Sequence, residues 1–185
     1  MQKMKLKTFV SIALLSSLAY VLMLIKIPTP FSNFLTVDFS DIPALVAAVL
    51  FGPMAAIIVE VIKNLLDYFT WGSESGIPIG HLANILSGIF FVLPTYFVYR
   101  HNKTKKGMTI GLIVGTVSLA ILMSILNYFV ILPAYLALMH FELPKAYVIS
   151  AVLPFNIVKG LAVTILFMLL FIRLQKWLEK NTLVK

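Results

Sequence analysis

Cysteine is absent from the 185-residue sequence, and charged residues make up only 12% of it. The lack of cysteine excludes disulfide bonds and thiolate chemistry, although it says nothing about the compartment. The sequence also lacks a GxxxxGKS or GxxxxGKT phosphate-binding loop, an HExxH zinc motif and a nucleophile elbow. Its three histidines, His81, His101 and His140, lie in separate segments. These absences argue against an enzyme or a tight metal site and favour binding or transport.

The scarcity of charge indicates a membrane protein. Soluble domains contain roughly 25% charged residues, whereas this sequence is 61% hydrophobic with a mean hydropathy of +1.00. Six apolar segments of about 17 to 25 residues would use nearly the whole length. We therefore expect an all-α integral membrane protein in which residues 1–185 form a single six-helix domain.

Proline, glycine and polar clusters divide the chain into these segments. The segment at 26–40 is too rich in turn residues for a tight connection and is predicted to be a functional loop or lid. Asp41 is predicted to cap the next helix, and Pro133 to begin a connection ending at Lys145. The predicted helices cover residues 8–25, 41–51, 53–71, 79–99, 107–132 and 146–177.

The basic residues predict the topology. If the N-terminus is cytoplasmic, the external side carries two basic residues, Lys26 and Lys145, while Lys63 and Lys159 lie within helices. The positive-inside rule then places both termini in the cytoplasm. The net charge of +8 reports this topology and does not indicate nucleic acid. The eleven basic residues on the cytoplasmic side are Lys3, Lys5, Lys7, Arg100, Lys103, Lys105, Lys106, Arg173, Lys176, Lys180 and Lys185.

Ionisable residues interrupt one apolar stretch, 38–68, which reads DFSDIPALVAAVLFGPMAAIIVEVIKNLLDY. A charge near the bilayer centre costs roughly 2.5 to 3.5 kcal/mol, so such groups normally face a bundle interior or a cavity. Glu60, Lys63, Asn64 and Asp67 fall within roughly a 100° arc of one helix. We interpret Glu60 and Lys63 as pairing with each other or with Asp67, in preference to contacting a ligand.

Polar residues of the later helices are predicted to converge on the outer half of the bundle, beneath the 26–40 loop, where they would line a cavity open to the outside. Lys159 has no acidic residue within a turn on its own helix. It therefore needs either a carboxylate of the third helix or an acceptor-rich ligand, and the sequence leaves both open. The other converging residues are His81, Asn84, Ser124, Asn127, Tyr128, Tyr135 and Asn156.

Small side chains cluster on the first helix at Ala13, Ser16 and Ser17. Ala13 and Ser17 have the small-xxx-small spacing that allows another helix to approach closely. The partner helix belongs either to this chain or to another subunit.

Three stretches, the 38–68 run together with GIPIGHLANILSGIFFVLPTY and SILNYFVILPAY, resemble the riboflavin-specific substrate-binding subunits (S components) of bacterial energy-coupling factor transporters. The resemblance covers essentially the whole chain. It implies a six-helix, multi-pass cell-membrane protein that captures riboflavin from outside and carries no cofactor. It also implies a transmembrane coupling subunit and two cytoplasmic ATPases as partners, with Ala13, Ser16 and Ser17 docking on the coupling subunit.

The ligand chemistry agrees with this resemblance. Riboflavin has a flat tricycle and an imide edge with one donor between two acceptors, and asparagine amides meet such an edge with donor and acceptor together. The alternatives are an S component for thiamine or biotin, and a stand-alone proton-coupled carrier that uses Glu60, Lys63 and Asp67. The candidate substrate-binding residues are Thr36, His81, Asn84, Asn127, Tyr128, Asn156 and Lys159.

Overall fold

The structure is a computed structural model that describes residues 6–73, 76–140 and 143–181. The described chain is mostly helical, with one two-stranded antiparallel sheet between the first two helices. In chain order the elements are α1 Leu6–Met23, β1 Ile27–Thr29, β2 Ser32–Val37, α2 Asp41–Phe51, α3 Pro53–Trp71, α4 Ile79–His101, α5 Lys105–Leu126, α6 Leu132–Met139 and α7 Leu153–Asn181.

Four helical stretches are long and apolar enough to cross a membrane. The remaining two helices differ for clear reasons: α2 has only 11 residues, and α3 carries Glu60, Lys63 and Asp67. The bounds of α2 and α3 agree with the sequence prediction. The four membrane-length stretches are Leu6–Met23, Ile79–His101, Lys105–Met139 and Val148–Gln175.

The short helix α2 lies at the centre of the bundle. It packs against α1, α3, α4 and α7, and Ala44, Ala47 and Ala48 are completely buried. Such small side chains allow neighbouring helices to approach closely. Because α2 is apolar on all sides after Asp41, its burial is expected from its sequence.

Proline shapes the adjoining ends of the last two membrane-length stretches. A π-helical turn at Asn127–Ile131 precedes Pro133, and a second at Val148–Val152 precedes Pro154. Because proline has no N–H and its ring clashes with the carbonyl of the preceding turn, a regular α-helix is disfavoured there, and the wider turn accommodates the ring. The prediction that Pro133 ends the helix is therefore wrong, since the helix continues as α6.

The segment predicted to be a loop or lid folds as a β-hairpin, which adds a small sheet to the expected all-α fold. Its register pairs Ile27 with Val37 and Pro28 with Thr36. Near its turn, the Tyr147 hydroxyl donates to Ser32 Oγ at 2.7 Å. The hairpin is therefore attached to the start of the last helical stretch.

Three glycines spaced four residues apart, Gly107, Gly111 and Gly115, bring α5 against the end of α4 and the loop that follows it. A Cβ on Gly111 would lie 2.7 Å from the Thr95 carbonyl oxygen, and one on Gly115 would lie 2.6 Å from that of Phe91. These spacings match the small-residue interfaces of membrane helices.

We expect Gly115→Ala to lower the melting temperature of the detergent-purified protein. The added methyl group meets a backbone carbonyl, and overpacking of this kind costs about 1 to 3 kcal/mol. Gly80→Ala is the matched control, because its nearest atom would be the Tyr135 hydroxyl oxygen at 4.0 Å. Equal melting temperatures for Gly115→Ala and the unmodified protein would contradict this interpretation.

Candidate functional site

A buried network of charged side chains lies at the junction of α2, α3 and α7. Its centre is Lys63, whose Nζ lies 2.6 Å from Asp41 Oδ1 and 2.7 Å from Glu60 Oε2. The same Nζ donates to Ser40 Oγ at 2.7 Å. Lys63 and Glu60 are completely buried, so their charges are neutralised by neighbours and not by water. The predicted pairing of Glu60 with Lys63 is confirmed.

Lys159 joins this network from α7. Its Nζ lies 3.4 Å from Asp41 Oδ2 and 3.9 Å from Asp38 Oδ2. Asp38 in turn accepts hydrogen bonds from the Ser40 hydroxyl and from the Ser40 backbone N–H, the latter at 2.8 Å. The carboxylates facing Lys159 therefore lie at and just before the start of α2. Of the two alternatives left open by the sequence, the third-helix carboxylate is wrong.

Asp41 was expected to be a capping residue, but the structure gives it another role. It is the first residue of α2, Ser40 occupies the cap position without a side-chain capping bond, and the Asp41 carboxylate lies between the two ammonium groups of Lys63 and Lys159. Sequence reasoning also did not identify Asp38 or Ser40. The available signal was the pair of carboxylates in DFSD together with Lys159, which has no acidic residue within a turn on its own helix.

A second polar contact joins α3 to α4. Asn64 Nδ2 donates to Asn84 Oδ1 at 3.4 Å, and Asp67 Oδ2 lies 3.0 Å from His81 Nε2. Asp67 therefore pairs with His81 across the α3–α4 interface. The alternative that Asp67 pairs with Lys63 is wrong. One turn deeper, Gly88 leaves space for the Glu60 carboxylate, which an added Cβ would meet at 2.2 Å.

Unused hydrogen-bonding atoms remain at this α3–α4 contact. Among the described residues, Asn64 Oδ1, Asp67 Oδ1 and His81 Nδ1 are buried and have no hydrogen-bond partner. Buried polar atoms normally have one, because leaving them unpaired costs about 1 to 3 kcal/mol. These atoms could therefore bind hydroxyl groups of a ligand.

The two asparagines of the later helices are both buried and similarly placed. Asn127 begins the first π-helical turn, and its Nδ2 donates to the Met123 carbonyl at 2.8 Å. Asn156 follows the second π-helical turn, and its Nδ2 donates to the Val152 carbonyl at 2.8 Å. The two π-helical turns contact each other, so the structure brings the regions that carry these amides together.

The structure places the remaining predicted substrate-binding residues nearer the surface. Thr36 is half-buried in β2. Tyr128 is 37% exposed, and Lys145 Nζ lies 5.0 Å from the centroid of its ring. This contact is a cation–π interaction at the end of the bundle near the hairpin.

The three small residues of α1 do not share one environment. Ser16 is buried, and its hydroxyl donates to the Ile12 carbonyl at 2.8 Å. Ala13 and Ser17 are exposed, and the Ser17 hydroxyl donates to the Ala13 carbonyl at 3.0 Å. Only Ala13 and Ser17 are therefore accessible to another subunit.

Comparison with known proteins reveals similarity over nearly the whole chain. A profile of the ECF transporter substrate-specific component matches residues 7–171. The riboflavin transporter FmnP of Bacillus subtilis is 44% identical over 184 residues, covering 96% of this chain and 97% of that protein. The riboflavin transporter RibU of Staphylococcus aureus is 43% identical over 181 residues, covering 94% of this chain and 93% of that protein.

Solved structures agree with the fold. A structure described as the S component of a bacterial ECF transporter superposes with a TM-score of 0.80 at 43% identity, covering 93% of this chain and 97% of that one. ThiT from Listeria monocytogenes superposes with a TM-score of 0.66 at 17% identity, covering 95% of this chain and 97% of that one. This second likeness concerns the fold alone.

Membrane-length helices around a buried polar network, together with these similarities, define a membrane transporter and not an enzyme. The chain belongs to the substrate-specific components of ECF transporters.

We expect Lys63→Met to destabilise the protein strongly. Among the described residues of the network, three carboxylates face two ammonium groups. Removing one partner of a buried pair costs about 3 to 5 kcal/mol, and Lys63 is shared by two carboxylates. Glu60→Gln should cost less, because it leaves equal numbers of both charges. Thermal unfolding in detergent compares the two variants, and a larger loss for Glu60→Gln would overturn this ranking.

Proposed function

We propose that this chain is the riboflavin-binding S component of an ECF-type vitamin uptake transporter. The observation that carries the proposal is end-to-end similarity, at 43 to 44% identity, to two riboflavin transporters. Riboflavin is the transported ligand, and no cofactor takes part.

The two buried asparagines support a neutral, planar ligand. An amide presents a donor and an acceptor side by side, which complements the imide edge of the flavin ring. Asn127 and Asn156 lie on helical stretches whose π-helical turns contact each other. We assign the imide edge to these amides and the rest of the ring to the apolar side chains around them.

The ribityl chain requires partners for several hydroxyl groups. The unpaired oxygens of Asn64 and Asp67 are acceptors, and His81 Nδ1 is an acceptor as well, because Nε2 of the neutral ring donates to Asp67. Asn84 lies beside them. We assign the hydroxyl groups to this side of the site. His81 and Asn84 remain in the proposed set, to which Asn64 and Asp67 are added.

Lys159 has a double role in this proposal. Its ammonium group carries three donors, and its nearest carboxylate oxygens are 3.4 and 3.9 Å away. Asn156 precedes Lys159 by three residues and shares its helix face. We propose that Lys159 donates to a flavin acceptor while it neutralises Asp38 and Asp41.

Riboflavin capture requires an outward-facing site. We propose six membrane spans in one domain of residues 1–185, with both termini in the cytoplasm and the pocket in the outer half of the bundle. The distribution of basic residues supports this orientation. The hairpin, with Thr36 and the contact between Tyr128 and Lys145, then lies on the external side of the cell membrane.

Uptake further requires an energy source, and the sequence contains no GxxxxGKS or GxxxxGKT phosphate-binding loop that could supply it. We propose that a transmembrane coupling subunit and two cytoplasmic ATPases move the loaded protein. The exposed small residues Ala13 and Ser17 form the proposed contact with the coupling subunit.

A stand-alone proton-coupled carrier finds less support. Its relay would need Glu60, Lys63 and Asp67 to exchange protons, yet Glu60 and Lys63 lie in the fully buried ion network, and Asp67 pairs with His81. An S component for thiamine or biotin is the other alternative, and direct ligand binding distinguishes it.

We expect the purified protein to bind riboflavin one to one and to quench its fluorescence. Asn156→Leu should weaken binding by roughly tenfold, because one hydrogen bond of about 1 kcal/mol is lost and a ligand group stays unpaired. Asn102→Ala, at an exposed loop position, is the control and should bind normally. Saturable binding of thiamine or biotin, with no response to riboflavin, would reject the proposed substrate.

We expect Ala13→Trp to prevent co-purification with the coupling subunit and ATPases while riboflavin binding persists. The large indole blocks the close helix approach that small residues permit. Leu18→Trp is the control, because Leu18 is 49% exposed on a different face of α1. Normal assembly of Ala13→Trp, whether riboflavin binding is kept or lost, would show that this patch is not the docking surface.

A further inference from the structure

An apolar groove of about 380 Å³ lies between α5 and α7, and none of the residues proposed to bind riboflavin lines it. Its outer walls are exposed, with Val117 52% and Leu161 48% accessible. Both walls belong to membrane-length helical stretches. The groove is lined by Ile113, Thr116, Val117, Ala120, Ile121, Leu153, Ile157, Leu161 and Thr164.

The floor of the groove explains both its shape and its apolar character. Gly160 lets the helices meet there, since an added Cβ would lie 2.7 Å from Thr116 Cγ2. Thr116 Oγ1 donates to the Leu112 carbonyl at 2.9 Å and lies 3.4 Å from Thr164 Oγ1. The threonine hydroxyls are therefore already partnered, and an occupant needs to offer only apolar surface.

Positive charge lies at one end of this groove. Lys106 precedes Ile113 by seven residues, so it lies on the same face of α5 and about 10 Å along the helix axis. Lys106 is exposed, as are its neighbours Lys103 and Lys105. The sequences of α5 and of α7 as far as Gln175 contain no acidic residue. An anionic group at this end would thus meet cations without like-charge repulsion.

We propose that the groove between α5 and α7 binds one anionic phospholipid, with an acyl chain against the apolar walls and the headgroup phosphate at Lys106. Charge complementarity favours this occupant over the apolar helix of a partner protein, which would bring no anionic group to Lys106. Basic sites between transmembrane helices bind anionic headgroups in this way. The site is separate from vitamin binding and concerns the lipid environment of the transporter.

Native mass spectrometry of the detergent-purified protein, with phosphatidylglycerol and phosphatidylcholine of identical acyl chains, tests this proposal. We expect one phosphatidylglycerol to be retained in preference to phosphatidylcholine. Lys106→Gln should lower that retention about fivefold, whereas Lys7→Gln, at an exposed lysine of α1, should not. Riboflavin quenching of each sample reports whether the vitamin site is intact, so the two proposals fail separately.

A second experiment fills the groove with a large side chain. Val117→Trp places an indole in the groove and should abolish lipid retention, whereas Val114→Trp, at an exposed α5 residue that does not line the groove, should leave it unchanged. Equal retention of both lipids, or no response to Lys106→Gln and Val117→Trp, would overturn the proposal. Loss of assembly with the coupling subunit in Val117→Trp, with lipid retention unchanged, would assign the groove to a protein partner instead.

Discussion

The arrangement of this bundle depends on neutralising Lys63 where water cannot reach it. A buried ammonium group needs counter-ions at hydrogen-bonding distance, and Lys63 finds them on its own helix in Glu60 and at the start of α2 in Asp41. Lys159 approaches the same Asp41 from α7. The charges therefore fix the position of the 11-residue helix α2 relative to α3 and α7.

This network also anchors the hairpin. Asp38 directly follows β2 and hydrogen bonds Ser40, which accepts from Lys63. At the other end of the hairpin, Ser32 accepts from Tyr147. The hairpin is thus fixed to the ion network at its base and to the last helical stretch near its turn, which places it beside the region that contains the proposed riboflavin site.

Helix packing at one end of the bundle depends on glycine, and helix geometry at the other end depends on proline. Gly107, Gly111 and Gly115 bring the first half of α5 close to the second half of α4 and the loop after it. Because glycine has no side chain, the two backbones can approach closely there. Toward the other end, wider π-helical turns precede Pro133 and Pro154 in the last two stretches. Asn127 begins the first of these turns, and Asn156 follows the second. Irregular helical turns of this kind often occur at functional sites, because they redirect side chains that a regular helix would place elsewhere.

The sequence alone predicted the apolar helices, the bounds of α2 and α3, the pairing of Glu60 with Lys63 and the family. These depend on local composition, on spacing along one helix or on a recognisable run of residues. The partners of Lys159, the contact between Asp67 and His81 and the burial of Ser16 were decided only by tertiary structure. Each depends on which helices are neighbours and how they are rotated, and one sequence does not contain that information. A lone lysine predicts that a counter-ion exists, but only the packed bundle identifies Asp38 and Asp41 as the residues that provide it.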